Sequence, residues 1–129
     1  MQPTPQIKMT THQTIAIVDD DEGVRTSLSN LLRSFGYDVD TYGSGVEFLE
    51  KGRDRPADCI ITDVQMPHMR GDELQNRLIE TGSTTPMIFM TAFPTEAIRG
   101  RVMEAGARAF LEKPVETALL LRHIEDAVA

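Results

Sequence analysis

Five residues of this 129-residue chain could share one piece of chemistry: Asp19, Asp20, Asp63, Thr91 and Lys113. Each ends or follows a short apolar run of the kind that forms a buried strand. Three carboxylates brought together repel, and they become tolerable when a divalent cation sits between them. An all-oxygen set with few protein ligands suits Mg2+, which keeps several of its waters. A carboxylate in such a site can attack phosphorus and become an acyl phosphate. The transferring group carries spread negative charge, so the protein's task is positioning and neutralisation. Lys113 would offer a cation to one phosphoryl oxygen, and Thr91 a hydroxyl donor to another.

Taken singly, each residue has a plainer explanation. An acidic residue after a strand is ordinarily a helix cap, and Asp21 is read as that. A lone Thr at a strand end is a β-former, and a lone Lys is solvated. The combination outweighs these readings, because sites in open parallel α/β sheets form at the carboxyl ends of strands. All five residues fall at that edge if the apolar runs are parallel strands. Cys59, inside an apolar run, reads as a small buried hydrophobe, and the seven Met as core filling. His68 has no partner at metal-ligand spacing and is expected to be exposed. Gly43-Ser44-Gly45 lacks the glycine pattern of a phosphate loop.

The elements that must position this set can be read in order. Thr14–Val18 is a strand running into Asp19-Asp20-Asp21. Val24, Leu28, Leu31, Leu32 and Phe35 recur at helical spacing, and Gly36 ends that helix. Tyr37–Tyr42 alternates weakly, as a strand. Ser44 to Glu47 has capping-box spacing, before a short helix with Val46 and Leu49 inward and Phe48 a lesser candidate. Ala57–Thr62 is a central strand ending at Asp63, followed by a loop from Met66 to Gly71. Leu74, Leu78 and Ile79 mark a third helix. Met87-Ile88-Phe89-Met90 forms a fourth strand, ending at Thr91. A weaker helix spans Thr95 to Ala105, with Ile98, Val102 and Met103 apolar. Ala109–Leu111 is a fifth strand, and Glu116 to Val128 a last helix with Leu120, Leu121, Ile124 and Val128 on one side.

Five strand–helix pairs in strict alternation imply an α/β fold, a doubly wound five-stranded parallel sheet with helices on both faces. One domain over residues 14–129 is expected, after a flexible lead-in over residues 1–13. The lead-in lacks the apolar core and basic start of a signal peptide. No apolar run is long enough to span a bilayer, so no membrane contact is expected. The single cysteine cannot form an internal disulfide, and the cytoplasm is the expected compartment. A net charge of −7 argues against nucleic-acid binding by this domain.

Over Ile15 to Val128 the chain resembles the receiver domains of response regulators in bacterial two-component systems. The matching pieces are Ile17-Val18-Asp19-Asp20-Asp21, Thr62-Asp63-Val64-Gln65-Met66-Pro67, Met90-Thr91-Ala92 and Phe110-Leu111-Glu112-Lys113-Pro114. The resemblance implies a flavodoxin-like (βα)5 fold with strand order 2-1-3-4-5. It implies Asp63 as phosphoacceptor, taking its phosphoryl group from a sensor histidine kinase or a histidine phosphotransfer protein. Asp19, Asp20, Asp63 and the backbone carbonyl of Gln65 would hold Mg2+, with Asp20 a direct ligand and Asp19 acting largely through water. Thr91 and Lys113 would sense the phosphoryl group, and Phe110 would be the switch aromatic that follows Thr91 inward. Pro114 would follow a peptide bond that is often cis. The fourth helix, fifth strand and fifth helix would form the output face and a surface for homodimerisation. Gln65 and Phe93 would border the path of hydrolytic water, with Phe93 expected to shield the acyl phosphate. The implied role is a switch that is modified, not an enzyme that turns over substrate. A phosphorelay intermediate is the alternative within the same chemistry. An aspartyl-nucleophile phosphatase is disfavoured, because it needs a second Asp where Gln65 stands.

Overall fold

The computed structural model describes residues 12–129, so the lead-in expected over residues 1–13 lies outside the described residues but for its last two. The elements are β1 (Thr14–Val18), α1 (Glu22–Ser34), β2 (Asp38–Tyr42), α2 (Gly45–Lys51), β3 (Cys59–Asp63), α3 (Gly71–Glu80), β4 (Met87–Thr91), α4 (Glu96–Glu104), β5 (Ala109–Glu112) and α5 (Thr117–Val128). The strands pair in parallel in the order β2-β1-β3-β4-β5, as expected. β2, β3 and α5 each start one or two residues later than the sequence suggested.

Strand side chains alternate between faces, and here both faces are covered. Ile15, Ile17, Cys59, Ile61, Ile88, Met90, Ala109 and Leu111 enter one cluster with Leu28 and Leu32 of α1 and Leu120 and Ile124 of α5. Their neighbours Ala16, Val18, Ile60, Met87, Phe89 and Phe110 enter the other, with Phe48 of α2, Leu74 of α3 and Val102 of α4. Covering both faces turns β1, β3, β4 and β5 into nearly continuous apolar runs and leaves polar residues at their ends. Among the described residues no helix is long and apolar enough to cross a membrane.

Helix ends follow local chemistry. Asp21 caps α1, accepting the Gly23 N–H at 2.8 Å and the Val24 N–H at 3.2 Å. The chain leaves α1 through Gly36 at φ 96°, a left-handed conformation that favours glycine. Ser44 caps α2 by accepting the Glu47 N–H at 3.0 Å, while Glu47 Oε1 accepts the Gly43 N–H at 2.7 Å.

Four helix faces differ from expectation. In α2, Phe48 is buried and Val46 is 40 % exposed. Gly45 faces the core instead, where an added Cβ would lie 2.9 Å from Met69 Sδ. Phe48 and Leu49, three and four positions on, share that face and Val46 is turned out of it. In α1, Phe35 is the C-cap and has left the helical path, so its ring is 55 % exposed rather than extending the Leu28–Leu32 stripe. Ile79 of α3 and Met103 of α4 also face solvent.

Candidate functional site

Parallel strands deliver their ends to one edge, and the acidic residues meet there. Asp19 follows β1 and is buried, its N–H donating to the Tyr42 carbonyl at 3.1 Å. Its Oδ1 accepts the Asp21 N–H at 2.9 Å. Asp63 ends β3 and is 8 % exposed, with Oδ1 accepting the Gln65 N–H at 3.3 Å. Asp20 is exposed at the rim. Oxygens of Asp19, Asp20 and Asp63 lie within 4.8 Å of one another. Lys113, just past β5, reaches back across the edge. Its Nζ donates to Asp19 Oδ2 at 3.0 Å and to Asp63 Oδ2 at 3.2 Å.

The electrostatics record the crowding. Burial pushes the Asp63 carboxyl above the usual carboxylate range; Lys113 opposes the shift and the neighbouring Asp19 charge adds to it. Burial works against the Lys113 ammonium, but the Asp19 and Asp63 carboxylates outweigh it and raise its pKa. The lysine therefore stays charged, and the carboxylate it faces is the strained partner.

A divalent cation fits this donor set. All the donors are hard oxygens, and three carboxylates against one ammonium leave two negative charges uncompensated. The Gln65 backbone stands against Asp63 through its N–H contact.

Thr91 ends β4 fully buried, and its hydroxyl donates not to Asp63 but to Gln65 Oε1, at 2.5 Å. The Thr91 hydroxyl oxygen itself accepts the Phe93 N–H at 3.1 Å. Phe110 is already buried, and the Arg99 guanidinium lies 5.8 Å from its ring centroid. The inward movement expected of this ring therefore starts from a buried position, not from solvent. Phe93 is 73 % exposed, so its ring covers little of its surroundings. The Lys113–Pro114 bond is cis, as the resemblance implied. His68 is exposed and Cys59 buried, as read from the sequence.

Sequence reasoning passed over two participants and one partner of the switch hydroxyl. Arg25 of α1 donates to the Asp19 carbonyl at 2.7 Å and so steadies the acidic loop. Gly71 starts α3 directly against the Asp63 peptide, where an added Cβ would lie 2.2 Å from the Asp63 carbonyl oxygen. Its position at the end of the Pro- and Gly-bearing loop was the one available signal. That partner is the Gln65 side chain, expected to border the path of hydrolytic water, which also accepts the Thr91 hydroxyl.

Comparison with known proteins agrees with this geometry. Residues 15–125 match the family model described as response regulator receiver domain. The transcriptional regulatory protein TdiR of Thauera aromatica is 35 % identical over 116 residues, covering 90 % of this chain and 51 % of TdiR. The transcriptional regulatory protein FixJ of Azorhizobium caulinodans is 37 % identical over 107 residues, covering 83 % of this chain and 51 % of FixJ. The chain thus spans about half the length of these curated relatives. Among solved structures, the FixJ-N crystal structure superposes with TM-score 0.84 at 35 % identity, covering 92 % of this chain and 94 % of that one. A CheY-like receiver domain protein of Methanospirillum hungatei gives TM-score 0.86 at 27 % identity, with 92 % and 94 % covered. A flavodoxin-like order of strands, an acidic cluster at their carboxyl ends and a family match over nearly the whole described chain lead to one assignment: the chain belongs to the response regulator receiver domains of two-component systems.

Proposed function

We propose that this domain accepts a phosphoryl group on Asp63 from a sensor histidine kinase or a histidine phosphotransfer protein, in a Mg2+-dependent reaction. The observation that carries this reading is the Lys113 ammonium standing within hydrogen-bond reach of both Asp19 and Asp63. An Asp63 carboxylate oxygen forms a bond to phosphorus as the bond to the donor's imidazole nitrogen breaks, and that electron pair stays with the imidazole. Asp19, Asp20, Asp63 and the Gln65 backbone carbonyl would hold Mg2+. The bound ion supplies positive charge to the oxygens around phosphorus. Lys113 neutralises a phosphoryl oxygen, and Thr91 offers its hydroxyl to another. Lys113, already beside Asp63 before reaction, needs little reorganisation when the charge develops.

Output is proposed at the face of α4, β5 and α5, which also serves for pairing with a second copy. The relatives named transcriptional regulators favour an output in transcription over a phosphorelay step. A turnover phosphatase is disfavoured, because position 65 holds a neutral amide engaged with Thr91 rather than an acid.

The test is incubation with phosphoramidate or acetyl phosphate and Mg2+, read by intact mass. The wild type should gain one phosphoryl group, and Asp63→Asn none. Removing Mg2+ should abolish the gain, and Asp20→Ala should raise the Mg2+ concentration needed. An adduct that survives Asp63→Asn overturns the assignment.

A further inference from the structure

The Thr91 hydroxyl has one proton to give. It is given to Gln65 Oε1, while Thr91 Oγ1 itself accepts the Phe93 N–H. The hydroxyl therefore has nothing left to donate towards Asp63. A phosphoryl group there can recruit it only by breaking its bond to Gln65. Gln65 meanwhile touches the acceptor through its own main chain, whose N–H donates to Asp63 Oδ1 at 3.3 Å. One residue thus holds the acceptor with its backbone and the reader with its side chain.

We propose that Gln65 is a latch on Thr91: its side-chain amide holds the switch hydroxyl at rest and sets how strongly an anion on Asp63 must pull to draw Thr91 over. This deepens the reading of Asp63 as phosphoacceptor and rests on it. The exchange gives up a neutral hydrogen bond and gains one to a charged oxygen, so switching stays favourable. Gln65 is half-buried, so its freed amide can turn to water. The latch weakens the drive without blocking it. Gln65 is a positioning residue in this role, acting through Thr91.

The experiment titrates the protein with beryllofluoride and Mg2+, followed by amide NMR. Beryllofluoride occupies the phosphoryl position without hydrolysis, so water access to Asp63 does not enter the result. Gln65→Met keeps the chain length and removes the acceptor. It should bind about threefold to tenfold more tightly than the wild type, the size of one neutral hydrogen bond. In a Thr91→Ala background the same substitution should change nothing, a result that a merely structural role for Gln65 would not give. The Phe93 amide should shift in resting Gln65→Met, reporting the released hydroxyl in a folded protein. Gln65→Ala is the second variant, should Met not be accommodated. Unchanged or weaker binding by both variants overturns the latch, as does an equal gain without Thr91. A wild type that binds no beryllofluoride with Mg2+ overturns the acceptor reading itself.

Discussion

Replacing Gly71 by alanine should destabilise the domain, while the same replacement at Gly100 should stabilise it. A Cβ at Gly71 would lie 2.2 Å from the Asp63 carbonyl oxygen and 3.1 Å from both the Asp63 carbonyl carbon and Val64 Cα. Close carbon–oxygen contacts sit at about 3.3 Å, so the first separation is short by roughly 1 Å. Every atom met is backbone, so no rotamer change relieves the overlap. The Gly71 N–H is also held, donating to the Val64 carbonyl at 2.9 Å. Relief requires α3 to move off the end of β3. Overpacking costs about 1–3 kcal/mol, and a rigid backbone clash belongs at the upper end. Gly100, within α4, meets no heavy atom within 4 Å. Alanine there gains helix propensity of up to about 1 kcal/mol. Urea unfolding with unchanged slope would report the pair, whose midpoints should move apart by the equivalent of about 3–4 kcal/mol. Because the overlap is with Asp63's own peptide, Gly71→Ala should also slow phosphoryl acceptance, and Gly100→Ala should not. Equal shifts in the two variants would refute the claim that α3 is seated against the acceptor.

Asp63→Asn should be more stable than the wild type at neutral pH. A carboxyl whose pKa is raised on folding binds protons more tightly when folded, so it costs increasing stability as pH rises through that window and the full amount above it. Melting curves across pH should show the advantage of Asp63→Asn shrinking towards acid; an advantage that grows there contradicts the burial argument. The Cys59 thiol, pushed up to about 12 by burial, should resist alkylation at neutral pH until the domain opens. Labelling should be faster in Gly71→Ala than in the wild type, and a wild-type rate matching a free thiol would contradict the burial.

Much of the site was legible because its chemistry is placed by strand ends. The runs before Asp19 and Asp63 are apolar on both faces, which identifies covered parallel strands, and such strands share a carboxyl edge. Lys113 and Thr91 follow by the same logic. Side-chain direction was less legible. α2 is only seven residues long, so its inward face is decided by what Gly45 packs against, not by hydropathy alone. Phe35 fits the α1 repeat on paper but sits where the backbone has already turned. The Gln65 side chain lies in a loop, where no periodicity fixes its direction, so the sequence offered a metal role for its carbonyl and a place beside the hydrolytic water, but not the bond from Thr91 to its amide.

The Lys113 backbone explains why the output should appear in α4. Its N–H donates to the Thr91 carbonyl at 2.8 Å, so the ends of β4 and β5 are tied together. On the proposed function, a phosphoryl group on Asp63 pulls the Lys113 ammonium and the Thr91 hydroxyl towards new oxygens, and the tie makes those pulls act on one unit. Phe110, three residues before Lys113, is already packed in the core with Arg99 of α4 over its ring. A buried ring has little room to travel. The element beside it has more: α4 is mostly exposed, and buries only Ile98 and Val102. It is tied to α3 by the Asp72–Arg101 pair at 3.0 Å and by the Gln75 amide donating to the Val102 carbonyl at 3.0 Å. α3 in turn begins at Gly71, against Asp63. The helix that can shift is therefore held from two sides by elements that end at the acceptor, through β5 and through α3.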